Sequence, residues 1–290
     1  YAFASLLSPN NNTNLSYIHI LFEWEQEDNA ESYNFQLSTN SSFSNPLINI
    51  DEESLMYIDT SNINWNSSYN WRVRPKYSDG SYGGWIDTYS FITGFTRSEA
   101  YSINIHDDEY QEGVTLFSSF FNYYSAMIDK NGNEIWNSEN NDIVYYTTDY
   151  YGQLFGCYVN NSLENYLPGI EFTLNNEIVW EDPNDDFLHH ELMKLPDGNY
   201  IGLIETTQIG PIPIGSWTTL YELQGYVADG VTNEFPWIGD KIVIWDKNTK
   251  NIIWEWDSFD YFNTTDYDDV SDSWFQGSAN GRYDWTHANA

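Results

Sequence analysis

The sequence predicts an all-β fold on three observations. Short runs rich in Tyr, Trp, Ile, Thr and Val recur throughout. Turn residues interrupt them about every ten residues, and no long apolar stripe of helical period is present. A length of 290 residues admits two domains or one large β domain. With 41% hydrophobic and 18% aromatic residues, the chain has ample material for packed cores. The texture changes near residue 95, which divides the chain into residues 1–95 and 96–290.

The first part reads as a sandwich of short strands. Ser8-Pro9-Asn10-Asn11-Asn12 opens as a loop. Ile18–Trp24 is a strand, and Tyr33–Ser38 follows with a period of two. Asn70–Pro75 alternates again, which places Trp71 and Val73 inward. Ser78-Asp79-Gly80 turns the chain, and Trp85 and Tyr89–Gly94 close the unit. The phrases FEWEQEDNAESYNFQLSTNSSF and YNWRVRPKYSDGSYGGWIDTYSFITG resemble the fibronectin type III class of immunoglobulin-like sandwich. The resemblance implies a spacer or adhesive module and nothing catalytic. A carbohydrate platform is the other reading of Trp71, but its inward position favours the core.

From residue 96 one phrase recurs: strand, polar turn, strand, closing tryptophan. Its copies are Met127–Trp136, Phe172–Trp180 and Ile244–Trp254, and the tryptophans are spaced by 44 and then 74 residues. A period of roughly 40–45 residues with about four strands per repeat is the mark of a β-propeller blade. Unrelated hairpins in a second sandwich are the alternative. The longer interval holds an insertion over 206–239. Its run Gly210-Pro211-Ile212-Pro213-Ile214-Gly215 is not expected to be a central strand, because proline donates no ladder hydrogen bond. Trp217, Tyr221, Tyr226 and Trp237 of the insertion either line a pocket or pack it against its own blade.

Charge narrows the partners. The chain carries 44 acidic and 10 basic residues, a formal charge of −34, which repels nucleic acid and anionic membranes. No stretch approaches the roughly 18–20 apolar residues of a membrane helix. The single cysteine, Cys157, lies in the apolar run Leu154–Val159, cannot form an intrachain disulfide and reads as a buried hydrophobe. Asn-x-Ser/Thr acceptor triplets begin at Asn11, Asn14, Asn40, Asn66, Asn160 and Asn263. They point to a secreted, extracellular glycoprotein. The first residue, Tyr1 rather than Met, fits a processed or incompletely recorded N-terminus. The acidic runs 182–186 and 266–272 either hold Ca²⁺ through oxygen ligands or are solvated loops; both lack the glycine and terminal glutamate of the calcium-binding loop.

The chemistry gathers in FLHHELMKLPDGNYIGL, residues 187–203. Pro196-Asp197-Gly198-Asn199 is a hairpin turn, and His189 and His190 stand at the mouth of its first strand. A metal site at His189-His190-Glu191 is disfavoured, because the spacing is not i, i+4 on a helix and no cysteine partner exists. Asp284-Trp285-Thr286-His287-Ala288-Asn289 is a second histidine phrase. The phrases HHELMKLPDGN and DWTHAN, with the Ile252–Trp256 hairpin between them, resemble the arylsulfotransferase family over residues 100–290.

That resemblance implies a six-bladed propeller that moves a sulfuryl group from an aryl sulfate to a phenolic acceptor without a nucleotide cofactor. It implies a nucleophilic sulfohistidine, with histidine, asparagine and arginine holding the sulfate oxygens. The matching positions here are His287 and Asn289, with His189 or His190 as the auxiliary histidine; strand alternation lets only one of that pair face the channel. The family's nucleophile and arginine come from later blades, and His19, His106, Arg97 and Arg282 do not match them. The 195 residues or so after residue 95 hold about four blades. The expectation is therefore a segment of a longer protein, or a ring completed by another chain or a copy of itself. Two functions stay open: sulfuryl transfer, or a non-catalytic extracellular structural or adhesive protein with the propeller as scaffold.

Overall fold

The computed structural model describes residues 4–97, 113–160, 167–183, 188–269 and 272–288. Strands make up 46% of the chain and helices 7%, so the fold is all-β. The described residues form five sheets, none of them closed. The chain forms two compact units, one of residues 1–142 with 174–177 and one of residues 143–173 with 178–290. His106 lies outside the described residues.

The first unit contains the sandwich. One sheet has the order β1 (Leu6–Ser8), β3 (Ile20–Trp24), β6 (Met56–Asp59). The other has the order β2 (Thr13–Leu15), β8 (Thr88–Thr93), β7 (Ser68–Tyr77), β4 (Ala30–Ser38), β5 (Ile48–Glu52). Alternate residues of β3, β4 and β7 turn inward, as their period of two requires. Phe22, Phe35 and Trp71 meet at the centre, with Phe22 to Phe35 at 4.9 Å and Phe22 to Trp71 at 5.2 Å between ring centroids. Trp71 is therefore core. Trp85 is not: on the outer face it lies between the guanidinium groups of Arg72 and Arg74, 3.8 and 4.5 Å from its ring centre.

The first long strand starts two residues later than the sequence suggests. Residues 16–18 pair instead with β11 (Glu134–Asn137): Ile18 N donates to Ile135 O and Asn137 N to Ser16 O. With β9 (Thr115–Ser119) and β10 (Tyr124–Ile128), β11 forms a three-stranded sheet, and β10–β11 is the first copy of the recurrent hairpin. Its turn is held by Asp129, whose Oδ1 accepts from Asn131 N and Asn133 N, both at 2.8 Å, while Gly132 takes a φ of +81°.

The second unit contains two stacked sheets, antiparallel except at the short β20. One has the order β12 (Ile143–Thr148), β13 (Leu154–Tyr158), β14 (Gly169–Phe172), β15 (Ile178–Glu181). The other has the order β16 (Leu188–Lys194), β17 (Tyr200–Pro211), β18 (Asn233–Trp245), β19 (Ile252–Asp257), with β20 (Tyr283–Asp284) beside β18. Phe155 and Trp180 from the first sheet pack on Leu192, Tyr200, Ile204, Val243 and Trp245 from the second. Trp180 and Tyr200 stack at 3.8 Å with only 9° between planes. Behind them Glu171, buried on β14, accepts from Tyr200 OH and from Lys194 Nζ at 3.0 Å. Cys157 is fully buried, and burial pushes its thiol up to about 12, which makes it inert.

The insertion differs from its sequence reading. β17 runs on to Pro211 and β18 begins at Asn233, so both strands extend into a long arm. Pro211 is tolerated because it is the last strand residue, at a register irregularity where the ladder ends. The arm carries α1 (Thr218–Leu223), and α2 (Ser258–Tyr261) and α3 (Ser273–Asn280) follow β19. Trp217, Tyr221 and Trp237 are buried with Trp274 and Tyr283, and Tyr226 packs against them. These aromatics therefore form the arm's own core.

Trp180→Ala should destabilise the second unit by about 3–5 kcal/mol, the usual range for removing a buried aromatic, as measured by urea unfolding. The Asp129 carboxyl makes a weaker, pH-dependent contribution. Partial burial works against its charged form, but hydrogen bonds from the Asn133 side chain, Asn133 N and Asn131 N outweigh it and lower its pKa. A lowered carboxyl pKa stabilises above the ordinary aspartate range, and that gain is lost as the pH falls through the folded value. Asp129→Ala should therefore cost about 1 kcal/mol at neutral pH, with the difference vanishing in acid.

Candidate functional site

The two histidine phrases fold onto one sheet. Leu195 N donates to Asn199 O and Gly198 N to Leu195 O, both at 2.8 Å, and Gly198 takes a φ of +88°. This is the hairpin turn between β16 and β17. Near the turn, Met193 pairs with Ile201 and Leu192 with Gly202. Further back, Leu188 pairs with Ile204, so four residues of β16 span two of β17. The irregularity covers His189, His190 and Glu191. A bulge breaks the period of two, so strand alternation does not by itself fix the faces of this segment. Both histidines lie in β16, and their side chains are outside the described residues.

The second phrase follows β18. In parallel pairing, Tyr283 lies beside Trp237 and Asp284 beside Ile238. Trp285 N donates to Ile238 O, and its ring packs on Phe259 and Trp237 at 5.0 and 5.5 Å. Asp240 then takes over: its N–H donates to Thr286 Oγ1 at 3.0 Å, and its buried carboxylate accepts from Ala288 N at 2.9 Å. Ala288 thereby reaches a cleft of about 330 Å³ shared with Glu191, Met193, Ile201, Leu203 and Ile242.

Among the described residues this cleft is lined by apolar side chains and one carboxyl, that of Glu191. Burial raises the pKa of Glu191. His287 is more than half exposed, and its Nδ1 lies 2.7 Å from Asp284 Oδ2. Asn289, the other expected sulfate ligand, lies outside the described residues. Arg282 is exposed and lies 3.8 Å from Glu205. Arg97 belongs to the first unit, where it donates to Glu139 O and stacks on Tyr124. His19 lines a polar cleft in that unit with Asp129 and Glu134.

Among the described residues no three His, Cys, Asp or Glu side chains are grouped to hold a metal. In the first acidic run, Asp182 is buried and accepts from Gly169 N at 2.8 Å, and residues 184–186 lie outside the described residues. In the second, Asp266, Asp268 and Asp269 are exposed, and residues 270–271 are not described. Among the described residues no helix is long and apolar enough to cross a membrane.

The acceptor triplets differ in setting. Asn11, Asn14, Asn40, Asn66 and Asn263 are exposed, and Asn160 is half-buried with its Nδ2 donating to Tyr158 OH. Asn11, Asn40 and Asn263 use their side-chain oxygens in local turns or bridges, accepting from Ser90, Ser42 and Thr265. Sequence reasoning did not anticipate the buried Glu171–Tyr200–Lys194 group. Strand alternation places Glu171 between Ile170 and Phe172, so the inward carboxylate was legible only as an oddity in an apolar run.

A raised carboxyl pKa means that the folded state prefers the neutral acid. The penalty is therefore present above the folded pKa and disappears as the pH falls below the ordinary glutamate range. Glu191→Gln should raise Tm at neutral pH by about 2 °C, with no gain near about pH 4; calorimetry at the two pH values checks this.

No protein-family model and no curated protein matches the chain. Among solved structures, similarity extends to the α-L-rhamnosidase of Dictyoglumus thermophilum, with a TM-score of 0.30 and 14% identity, covering 89% of this chain and 29% of that one. It extends also to the Streptomyces avermitilis α-L-rhamnosidase complexed with L-rhamnose, with a TM-score of 0.24 and 13% identity, covering 41% and 12%. The chain thus spans less than a third of the length of either structure.

Proposed function

We propose that the chain is a non-catalytic extracellular β-scaffold, built from repeat sheets that stack face to face in the manner of propeller blades. The observation that carries this reading is the two-faced sheet of the second unit. Leu192, Tyr200, Ile204, Val243 and Trp245 occupy one face and are covered by the neighbouring sheet. The register places Met193, Ile201, Leu203, Ile242, Ile244, Trp254 and Trp256 together on the other. A sheet that faces water on one side alternates apolar and polar residues, whereas one apolar on both faces is built to lie between two layers. The closing tryptophans agree: Trp136 and Trp180 are 1% and 6% exposed, and Trp254, on the open face, is 48% exposed.

Sulfuryl transfer is the second reading. It is favoured by the meeting of the His287 segment with β16, since Ala288 and Glu191 line one cleft. Its chemistry is opposed there. A sulfate needs cations and N–H donors that gain strength as charge shifts, and among the described residues this surface offers Glu191, and Asp284 at 2.7 Å from His287. A carboxylate at that distance competes with any anion for the imidazole ring.

The discriminating experiment incubates the complete protein that contains this chain with a chromogenic aryl sulfate and a phenol and quantifies the sulfated phenol. The scaffold reading expects no transfer above the protein-free control. Transfer that His287→Ala lowers by about tenfold or more would establish the enzyme reading instead.

A further inference from the structure

We propose that Asn66 carries an N-linked glycan whose first sugar lies in a cleft of the first unit and covers Ile92 and Phe95. The proposal rests on the extracellular reading, because only exported chains meet the donor. The cleft measures about 520 Å³ and brings together Asn14, Asn66, Ser68, Ile92, Phe95 and Asn140. Strand register explains the grouping. Asn14 on β2 pairs with Ile92 on β8, and Ser68 on β7 pairs with the same Ile92 from the other side. Cross-strand partners share a face, so the three side chains form one row. Asn66 stands two residues before Ser68, and its N–H donates to Gly94 O at 2.7 Å.

Two features of this row point to a sugar. Ile92 is 50% exposed and Phe95 70% exposed, although they are set among amides, hydroxyls and the charged groups of Arg97 and Glu139. The C–H face of a pyranose covers such side chains and removes their apolar area from water, while its hydroxyl and acetamide groups bond to Asn14 and Asn140. The cleft volume lies within the usual range of small-ligand sites, about 300–1,000 Å³.

The two acceptor asparagines in the cleft are not equivalent. Ser16, which completes the Asn14 triplet, is 3% exposed and donates its hydroxyl to Leu174 O at 2.6 Å. Ser68, which completes the Asn66 triplet, is exposed, as is Asn66 itself. Asn66 also has a φ of +52°, a left-handed turn conformation that asparagine accepts and most other side chains resist. The Asn66 triplet is therefore open, and Asn14 is left to line the seat.

In the attachment step, Asn66 Nδ2 displaces the pyrophosphate of a lipid-pyrophosphate-linked oligosaccharide. The Nδ2–C1 bond forms, the C1–O bond breaks, the lipid pyrophosphate departs with its electron pair and the amide nitrogen loses one proton. The host transferase catalyses this step; the cleft holds the product.

The test uses the full chain secreted from a glycosylating eukaryotic host. Glycopeptide mass spectrometry reads occupancy, and hydrogen exchange reads protection of residues 92–96. Asn66 should be occupied, and exchange there should be at least about threefold slower than in Asn66→Gln, in line with burial by a bound group. Phe95→Ala, outside the triplet, should keep the occupancy and lose the protection. Occupied Asn66 with unchanged exchange overturns the seat. A bare Asn66 beside occupied Asn40 and Asn263 overturns the site. Both results leave the extracellular reading intact, whereas six bare triplets on the secreted chain would remove its glycoprotein basis together with the proposal.

Discussion

The second unit depends on the stack of Trp180 on Tyr200, with Glu171 held beneath it. Two sheets of opposite origin, β12–β15 and β16–β19, meet there. Burying a carboxylate at such an interface costs several kcal/mol unless its lone pairs are satisfied. Tyr200 OH, Lys194 Nζ and, at 3.2 Å, Gln153 Nε2 satisfy them. Burial, and then the Glu171 contact, raises the Tyr200 pKa, so the phenol stays a donor throughout the physiological range. The polar group fixes one register between the sheets, because a slip of one residue would leave Glu171 buried without a donor.

From that interface the rest of the unit follows. A sheet anchored by Leu192, Tyr200, Ile204, Val243 and Trp245 must present its alternate residues on the far side, and those too are apolar. The long arm of β17 and β18 escapes the same problem by carrying its own core. Trp274 stacks on Tyr283 at 3.8 Å and Trp237 packs edge-on at 5.4 Å. The terminal segment is drawn onto β18 by that core, and the buried Asp240 holds it there. Packing therefore places the His287 segment on β18.

The strongly acidic composition bears on the same point. A formal charge of −34 gives the surface a potential that disfavours anionic ligands wherever cations are not concentrated. The cations that do cluster, Arg72, Arg74 and Lys76, lie on the outer face of the sandwich, interleaved with Trp85 and Tyr82. Arg72 and Arg74 donate there to the neutral amides of Gln36 and Asn34, and Lys76 pairs with Asp51.

The sequence by itself determined the class, the sandwich strands and the three recurrent hairpins, because each is a local pattern. A period of two decides which residues of β4 and β7 point inward, and an Asp or Gly at a turn decides where a hairpin closes. Tertiary structure alone decided the rest. The bulge at His189–Glu191 arises from matching β16 to β17, which no alternation within one strand reveals. The 210–215 run gave no sign that its strand would continue to Pro211, since a proline's tolerance depends on whether the neighbouring position needs its N–H. The position of His287 beside Asp284, and of Ala288 in an apolar cleft, came from a parallel pairing across 46 residues between Ile238 and Asp284. Such contacts are non-local, and only the folded chain brings their partners together.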